Sequence, residues 1–217
     1  EGILVGISAG VSYGALGSTH HSLHDFAALR AINNIEIIAP ADNFESAEAI
    51  RYAAEATHPV YLRFGKLPLY GLQEHGQPFA RGKARQLSEG TDIAFVATGE
   101  AVAHARLAAR KLQRDHDLSC RVLSMPFIKP LDGEAVCAAA RSCGALITVE
   151  EHLEHGGLGD AVAATLMRSG ITVPFHSVAV PDEYTVTGSQ ADIFHHYGIS
   201  TEGLTATALA LTATVRA

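Results

Sequence analysis

Basic clusters are missing from this chain of 217 residues, in which 16 Lys and Arg stand against 23 Asp and Glu for a formal net charge of −7. Proteins that bind nucleic acids usually carry a basic face or stripe, so we expect no nucleic-acid partner. Every apolar run is shorter than the ~18 residues of a membrane span, and no charged-then-apolar segment indicates a signal peptide. We therefore expect no membrane association and a location in the cytoplasm.

Cysteine is also scarce. The three cysteines, Cys120, Cys137 and Cys143, form no Cys-x-x-Cys motif. An odd number leaves at least one thiol unpaired, so a disulfide framework is not expected. With 47% hydrophobic residues among its 217, the chain can bury the cores of two modest domains.

Short apolar runs alternate with amphipathic stretches along the chain, which is typical of α/β proteins with parallel sheets. The sequence predicts strands over residues 3–7, 35–39, 60–64, 92–97, 121–123, 145–149 and 175–180. Helices are expected in the intervals, and a last helix is expected over about 201–214.

Two helix starts carry the pattern of a capping box, in which a polar side chain is followed three residues later by an acidic one. Ser22 with Asp25 predicts one helix start, and Asp42 with Glu45 predicts the other.

The domain boundary is predicted from a segment with two prolines, two glycines and no steady hydrophobic period. We interpret residues 67–81 as a linker between a first domain over 1–66 and a second over 82–217.

The most informative stretch is a glycine-punctuated loop, Gly14-Ala15-Leu16-Gly17-Ser18-Thr19-His20-His21-Ser22. Further along come Asp25, Arg30, Asn33-Asn34, Pro40-Ala41-Asp42 and Tyr61-Leu62-Arg63. This order and spacing resembles the pyrimidine-binding domain of transketolase-like enzymes that use thiamine diphosphate. The chain is taken to open inside that domain, because residues 3–7 already form a strand pattern.

The second half resembles the C-terminal domain of the same family. The resemblance rests on Val149-Glu150-Glu151-His152, Gly156-Gly157-Leu158-Gly159 and Val180-Pro181-Asp182. It implies an α/β fold of two domains with mainly parallel sheets, a partial pyrimidine-type domain and a transketolase C-terminal-like domain. The resemblance is strongest to the C-terminal subunit of split transketolases.

The resemblance implies a transferase that moves a two-carbon ketol unit from a ketose or ketose phosphate to an aldehyde, with thiamine diphosphate and Mg²⁺ as cofactors. In the family, a Gly-Asp-Gly motif holds the diphosphate and a Glu activates the cofactor. No Gly-Asp-Gly occurs in this sequence, and the Glu would lie upstream of residue 1. The resemblance therefore implies activity only with an N-terminal subunit carrying that motif, in a heterotetramer or dimer of pairs, or with a missing N-terminal part.

Three site residues follow from the same resemblance. His20 falls on the Thr-His of the family motif and is the catalytic candidate, since an imidazole with a pKa of about 6.5 donates or accepts protons at neutral pH. His21 and Arg63 are substrate-binding candidates, and the planar fork of Arg63 suits phosphate oxygens. Transketolases commonly have an Asp at the position of Leu16, so substrate chirality or length is expected to differ.

Alternatives remain open at this point. Deoxyxylulose-phosphate synthase and the beta subunit of 2-oxo acid dehydrogenases are decarboxylating relatives, and a noncatalytic assembly subunit is a third hypothesis. The grouped histidines, including His152 and His155, lack the completing ligands of a zinc site, so no metal held by this chain is expected. The turn over residues 156–159 is interpreted as a place of close helix packing, with anion binding as the alternative.

Overall fold

Two sheets organise the chain, for which the computed structural model describes residues 2–66, 68, 71–72 and 78–216. In chain order the strands are β1 (Ile3–Gly6), β2 (Glu36–Ile38), β3 (Val60–Arg63), β4 (Arg85–Ser88), β5 (Ile93–Ala97), β6 (Cys120–Ser124), β7 (Phe127–Lys129), β8 (Ala145–Leu153) and β9 (Phe175–Val180). The first sheet has the order β1-β3-β2-β7, and the second has the order β4-β6-β5-β8-β9.

The helices fall between the strands. They are α1 (Asp25–Arg30), α2 (Asn43–Glu55), α3 (Ala101–His116), α4 (Gly133–Ser142), α5 (Leu158–Arg168), α6 (Gln190–His196) and α7 (Thr201–Arg216). Two short 3₁₀ turns, Gly14–Leu16 and Ser18–His20, lie between β1 and α1. The predicted α/β class with two mainly parallel sheets is confirmed.

The first sheet is parallel over β1, β3 and β2, and Val60 of β3 pairs with Ile3 on one side and Glu36 on the other. β7 adds an antiparallel strand, with Ile37 opposite Lys129. This strand belongs to the part of the chain assigned by sequence to the second domain. The two halves therefore share a sheet, although the predicted boundaries themselves stay a prediction.

The central strands β5 and β8 of the second sheet are buried on both faces, as parallel strands covered by helices are. Along β5, Phe95 packs in the core cluster that includes residues of α3 and α7. Its neighbour Val96 packs in the cluster that includes residues of α4 and α5. That second cluster also contains Phe26 of α1 and Ile37 of β2, so the cores of the two sheets are continuous.

One predicted helix start is confirmed and the other is wrong. The Asp42 side chain accepts a hydrogen bond from the Glu45 N–H at the start of α2, as expected. α1 instead begins at Asp25, after His24 and without a side-chain cap. Ser22 lies outside the helix, because its backbone pairs with Gly10 in an antiparallel bridge.

The predicted linker lies partly outside the described residues, which omit 67, 69–70 and 73–77. Leu72 within it is buried, with 5% of its surface exposed. Its N–H donates to the Asp42 carboxylate, and its carbonyl accepts from Arg106 of α3. This point of the segment is therefore fixed to helices of both halves.

Within the described part of the chain, no helix combines the length and apolar character needed to cross a bilayer.

Candidate active site

The loop over residues 10–22 carries the predicted histidines and is closed at its base. Gly10 and Ser22 exchange two backbone hydrogen bonds there, of 3.0 and 2.8 Å. The preceding Ala9 N–H donates to the Phe64 carbonyl just after β3. The loop is thus an extension of the carboxyl edge of the first sheet, where parallel α/β sheets place their ligands.

His20 ends the second 3₁₀ turn and is exposed to solvent. Its Nδ1 lies 3.0 Å from the Thr19 hydroxyl, and its ring centroid lies 6.4 Å from that of Tyr13. The Lys66 ammonium sits 3.8 Å from the centroid of the Tyr13 ring. A hydrogen bond with Ser8 and the charge of Lys66 lower the pKa of Tyr13. His20 therefore borders a small cluster of polar groups that is open to solvent.

His21 faces the second half of the chain. Its Nδ1 lies 2.6 Å from the Thr185 hydroxyl, and its buried Nε2 has no hydrogen-bond partner among the described residues. The ring lines a cleft of about 570 Å³ formed by Ser18, His21, Leu23, His24, Leu153, Asp182, Glu183, Tyr184 and Thr185. Both halves of the chain therefore wall the cleft.

Arg63 ends β3 and points inward, with 5% of its surface exposed. Its Nε donates to Asp25 Oδ2 at 2.7 Å, and its Nη2 donates to the carbonyls of Ser22 and Glu151 at 3.1 and 2.9 Å. Although burial pushes the pKa of Asp25 upward, the charge and hydrogen bonds of Arg63 outweigh it and lower that pKa. Three groups of the same chain thus accept from Nε and Nη2, so the geometry does not favour a phosphate contact at these two nitrogens. The predicted phosphate role of Arg63 stays a prediction.

A buried acidic cluster lies beside Arg63, and sequence reasoning missed it. Glu151 Oε1 accepts hydrogen bonds from the Val11 N–H at 2.8 Å and from Gln190 Nε2 at 2.9 Å. The same Gln190 nitrogen donates to Glu100 Oε2 at 2.7 Å. Burial, followed by repulsion from Glu100, raises the pKa of Glu151 to about 8. The available signal was the run of ionisable residues at 150–152, which continues an otherwise apolar strand.

The neighbouring Glu150 occupies the N-terminus of α5. Its carboxylate accepts from the N–H groups of Leu158 and Gly159 at 2.7 and 2.8 Å. Burial raises its pKa to about 7, against the lowering effect of these hydrogen bonds. A Cβ on Gly159 would lie 2.3 Å from the Ser177 hydroxyl, so the helix packs closely on β9. The glycine turn therefore serves packing, as expected, and the chain's own carboxylate fills the anion position.

His152 is fully buried and stacks on Phe26 with ring centroids 4.9 Å apart. Burial, followed by the charge of Arg63, lowers the pKa of His152 to about 4, which keeps the ring neutral. Across the residues that the structure describes, no group of three or more His, Cys, Asp or Glu side chains could hold a metal ion.

Family comparisons agree with this architecture. The model of the family described as "Transketolase, C-terminal domain" matches residues 82–204, and that of "Transketolase, pyrimidine binding domain" matches residues 2–70. The chain therefore belongs to the transketolase family and carries parts of these two domains.

Among individual proteins, the chain is similar to subunits of split transketolases. The chain is 42% identical over 207 residues to an apulose-4-phosphate transketolase subunit of Phocaeicola vulgatus, covering 95% of this chain and 65% of that protein. It is 34% identical to the protein of the same name from Actinobacillus succinogenes, covering 96% and 67%. A solved split gene transketolase, described as an inactive beta4 tetramer, superposes with a TM-score of 0.84 at 29% identity, covering 97% and 66%. The chain thus spans about two thirds of the length of these relatives.

Proposed function

We propose that this chain is the C-terminal subunit, or a fragment of it, of a thiamine-diphosphate-dependent transketolase that moves a two-carbon ketol unit from a ketose or ketose phosphate to an aldehyde. The observation that carries the proposal is the loop over residues 10–22. It presents His20 to solvent beside a cleft that His21 lines. Similarity to single subunits of apulose-4-phosphate transketolases supports a split enzyme with phosphorylated substrates.

In this proposal His20 hydrogen-bonds the carbonyl or hydroxyl of the substrate and moves a proton at its free ring nitrogen. Its Nδ1 already faces Thr19, so Nε2 is the atom directed at substrate. His21 adds a polar side chain to the cleft wall, where its ring is held by the Thr185 hydroxyl. Arg63 is left out of the substrate contacts, because its Nε and Nη2 already donate to groups of the same chain.

The residues of this chain do not fit the diphosphate and Mg²⁺ as principal ligands. The sequence has no Gly-Asp-Gly, and the described residues include no metal-holding cluster. We assign those ligands to a partner polypeptide with the Gly-Asp-Gly motif or to a further part of the same polypeptide, in an oligomer such as a heterotetramer.

β1 supports such an assembly. It forms one edge of the first sheet in the described structure, and Ile3, Leu4 and Val5 are each at least half exposed. An apolar strand edge exposed in this way is usually covered by another element or chain.

The test is reconstitution. The chain is mixed with an N-terminal transketolase-type subunit, thiamine diphosphate, Mg²⁺, a ketose phosphate and an aldehyde, and the products are identified by mass spectrometry. We expect an aldehyde lengthened by two carbons only when both polypeptides are present. Omission of each polypeptide in turn is the control, and a mixture that forms no such product with any ketose donor contradicts the proposal.

A decarboxylating activity is the second candidate, supported by 33% identity to the 1-deoxy-D-xylulose-5-phosphate synthase of Syntrophotalea carbinolica over 92% of this chain. Donor chemistry separates the two. Release of carbon dioxide from pyruvate in the same mixture, without turnover of ketose donors, would favour this candidate.

A further inference from the structure

The two ends of the histidine loop, residues 10–22, converge on one residue of β8. At the first end, the Val11 N–H donates to the Glu151 carboxylate at 2.8 Å across 140 positions of sequence. At the other end, the Ser22 carbonyl accepts from Arg63 Nη2, and the same nitrogen donates to the Glu151 carbonyl. Val11 and Glu151 are buried, with exposures of 0% and 2%.

We propose that Glu151, together with Arg63, is the positioning element that fixes the loop over residues 10–22 on the second half of the chain. Neither side chain needs to touch substrate for this role. The anchoring follows from the contacts above, whereas its consequence for turnover rests on the proposed function of His20.

The shape of the loop base fits the carboxylate closely. Gly10 adopts a left-handed conformation with φ of +59°, which favours glycine. A Cβ at this position would lie 2.2 Å from the Glu151 carboxyl carbon. The carboxylate therefore packs directly on the backbone of the loop, and the absence of a side chain at position 10 is required for the contact.

Gln190 of α6 completes the anchor. Its Nε2 donates to Glu151 and to Glu100, so one amide nitrogen joins the buried carboxyl of Glu151 to the half-buried carboxyl of Glu100. Glu100 Oε1 is buried and has no hydrogen-bond partner within the described ranges of the chain. Two carboxylates this close disfavour simultaneous ionisation, so a proton on one of them stabilises the arrangement.

The segment before α6 also holds the far side of the loop. The Gly188 N–H donates to the Gly14 carbonyl at 3.3 Å. A Cβ on Gly14 would meet the Gly188 carbonyl oxygen at 2.5 Å and Ile193 at 2.6 Å. The loop therefore rests on α6 at its far side and on β8 at its base.

Hydrogen–deuterium exchange on the full chain tests the anchor without any need for activity. Glu151→Ala removes the acceptor of Val11, so amides over residues 10–22 should exchange about tenfold faster or more. Glu151→Gln keeps an acceptor oxygen and should restore slow exchange. Glu150→Ala is the matched control, because it removes an equally buried carboxyl and should speed exchange only near Leu158 and Gly159. Unchanged exchange of the loop in a folded Glu151→Ala protein overturns the proposal.

A measurement on the wild-type protein covers the case in which Glu151→Ala does not fold. The amide signal of Val11 in nuclear magnetic resonance should shift as the Glu151 carboxyl titrates, since the amide donates to that carboxyl. The charged or titratable groups that face the Glu151 carboxyl are Glu100 and Arg63. The variant Glu100→Gln removes the titration of Glu100, so that a remaining shift of the Val11 signal reports on Glu151. A Val11 amide signal that does not shift as Glu151 titrates overturns the proposed anchoring role of Glu151.

Turnover in the reconstituted enzyme gives a separate answer. If Glu151→Ala loosens the loop and lowers kcat, while Glu151→Gln preserves both, the anchor positions the catalytic loop. A loosened loop with unchanged kcat supports the anchor and overturns the proposed role of His20.

Discussion

His20 and His21 are adjacent in sequence, but their rings have different hydrogen-bond partners. The His21 ring is tied to Thr185 in the second half of the chain, whereas the His20 ring has a hydrogen bond with its neighbour Thr19. A ring held locally is free to meet a substrate, and a ring tied across the cleft is suited to shaping it. This contrast favours the proton-transfer role for His20 and the contact role for His21.

His20→Ala should lower kcat in the reconstituted enzyme by about 10²–10⁴-fold, the contribution typical of a positioned acid or base. Cofactor affinity should change far less, because the principal cofactor ligands are assigned to a partner polypeptide or to a further part of the same polypeptide. Steady-state kinetics and a cofactor titration give the two values. His176→Ala, on the exposed face of β9, is the control, and turnover of the His20 variant within about threefold of wild type contradicts the assignment.

Arg63→Ala should destabilise the chain by about 3–5 kcal/mol, because it leaves the Asp25 carboxylate without its buried partner. Urea unfolding followed by circular dichroism measures the loss, and Asp25→Asn with Arg63→Ala tests whether the unpaired charge causes it. Phosphorylated and unphosphorylated substrates should lose kcat/KM equally. A loss confined to phosphorylated substrates would instead restore the phosphate-binding role predicted from the sequence.

The Glu151 carboxyl makes stability depend on pH in a defined direction. Its pKa is about 8 in the folded chain against an ordinary value of 4.5. At a pH between these two pKa values, the Glu151 carboxyl holds a proton in the folded chain that it has released in the unfolded chain. The contribution of this carboxyl to the free energy of unfolding is therefore greatest below pH 4.5 and falls as the pH rises. Melting temperatures of Glu151→Gln relative to wild type should therefore increase from pH 5 to pH 9. A difference that stays constant over that range would show that the carboxyl does not titrate as described.

At the level of elements, what the sequence could predict depended on how local the interactions are. α2 starts where expected, because Asp42 and Glu45 are three residues apart and cap the same helix. The matching prediction at Ser22 failed, since Ser22 pairs with Gly10 and Asp25 pairs with Arg63, both distant in sequence. Tertiary contacts override local capping in such a case.

β4 and β7 were not predicted, and their sequences explain why. β7 has three residues and follows Pro126, and β4 begins with Arg85, whose guanidinium is buried against Glu45. Neither shows a period long enough to identify a strand. The anchoring role proposed for Glu151 could not be predicted for a related reason. It depends on a hydrogen bond from Val11, which lies 140 positions away in the sequence. His20 and His21 could be proposed from the sequence because the loop motif is contiguous, and their roles stay predictions.

The close packing of α5 on β9 gives a prediction at this level. Gly159→Ala should destabilise the chain by about 1–3 kcal/mol, the usual cost of overpacking, because the new methyl group meets the Ser177 hydroxyl. The double variant Gly159→Ala with Ser177→Ala should recover part of that loss, with Ser177→Ala alone as the reference. Denaturant unfolding of the four proteins checks this, and a fully additive pair would show that the two residues do not collide.

The two halves of the molecule share a sheet and two hydrophobic clusters, whereas the β1 edge of the first sheet is exposed. β7 links the second half to the first sheet, and the clusters around Phe26 and around Val11 contain residues of both halves. By contrast, β1 presents Leu4 and Val5 at 54% and 52% exposure. In the proposed function, β1 is covered by another polypeptide or by a further part of the same polypeptide.

Val5→Lys tests that explanation. Since Val5 is half exposed, the variant should leave the stability of the isolated chain within about 0.5 kcal/mol. In the proposed assembly the same charge would be buried without a partner, so association with an N-terminal subunit should weaken by at least about tenfold. Light scattering on mixtures of the two polypeptides measures the association. Met167→Lys is the matched control, because Met167 is 80% exposed on α5, a helix that packs on β8 and β9 of the second sheet. Equal association of the two variants would place the partner surface elsewhere.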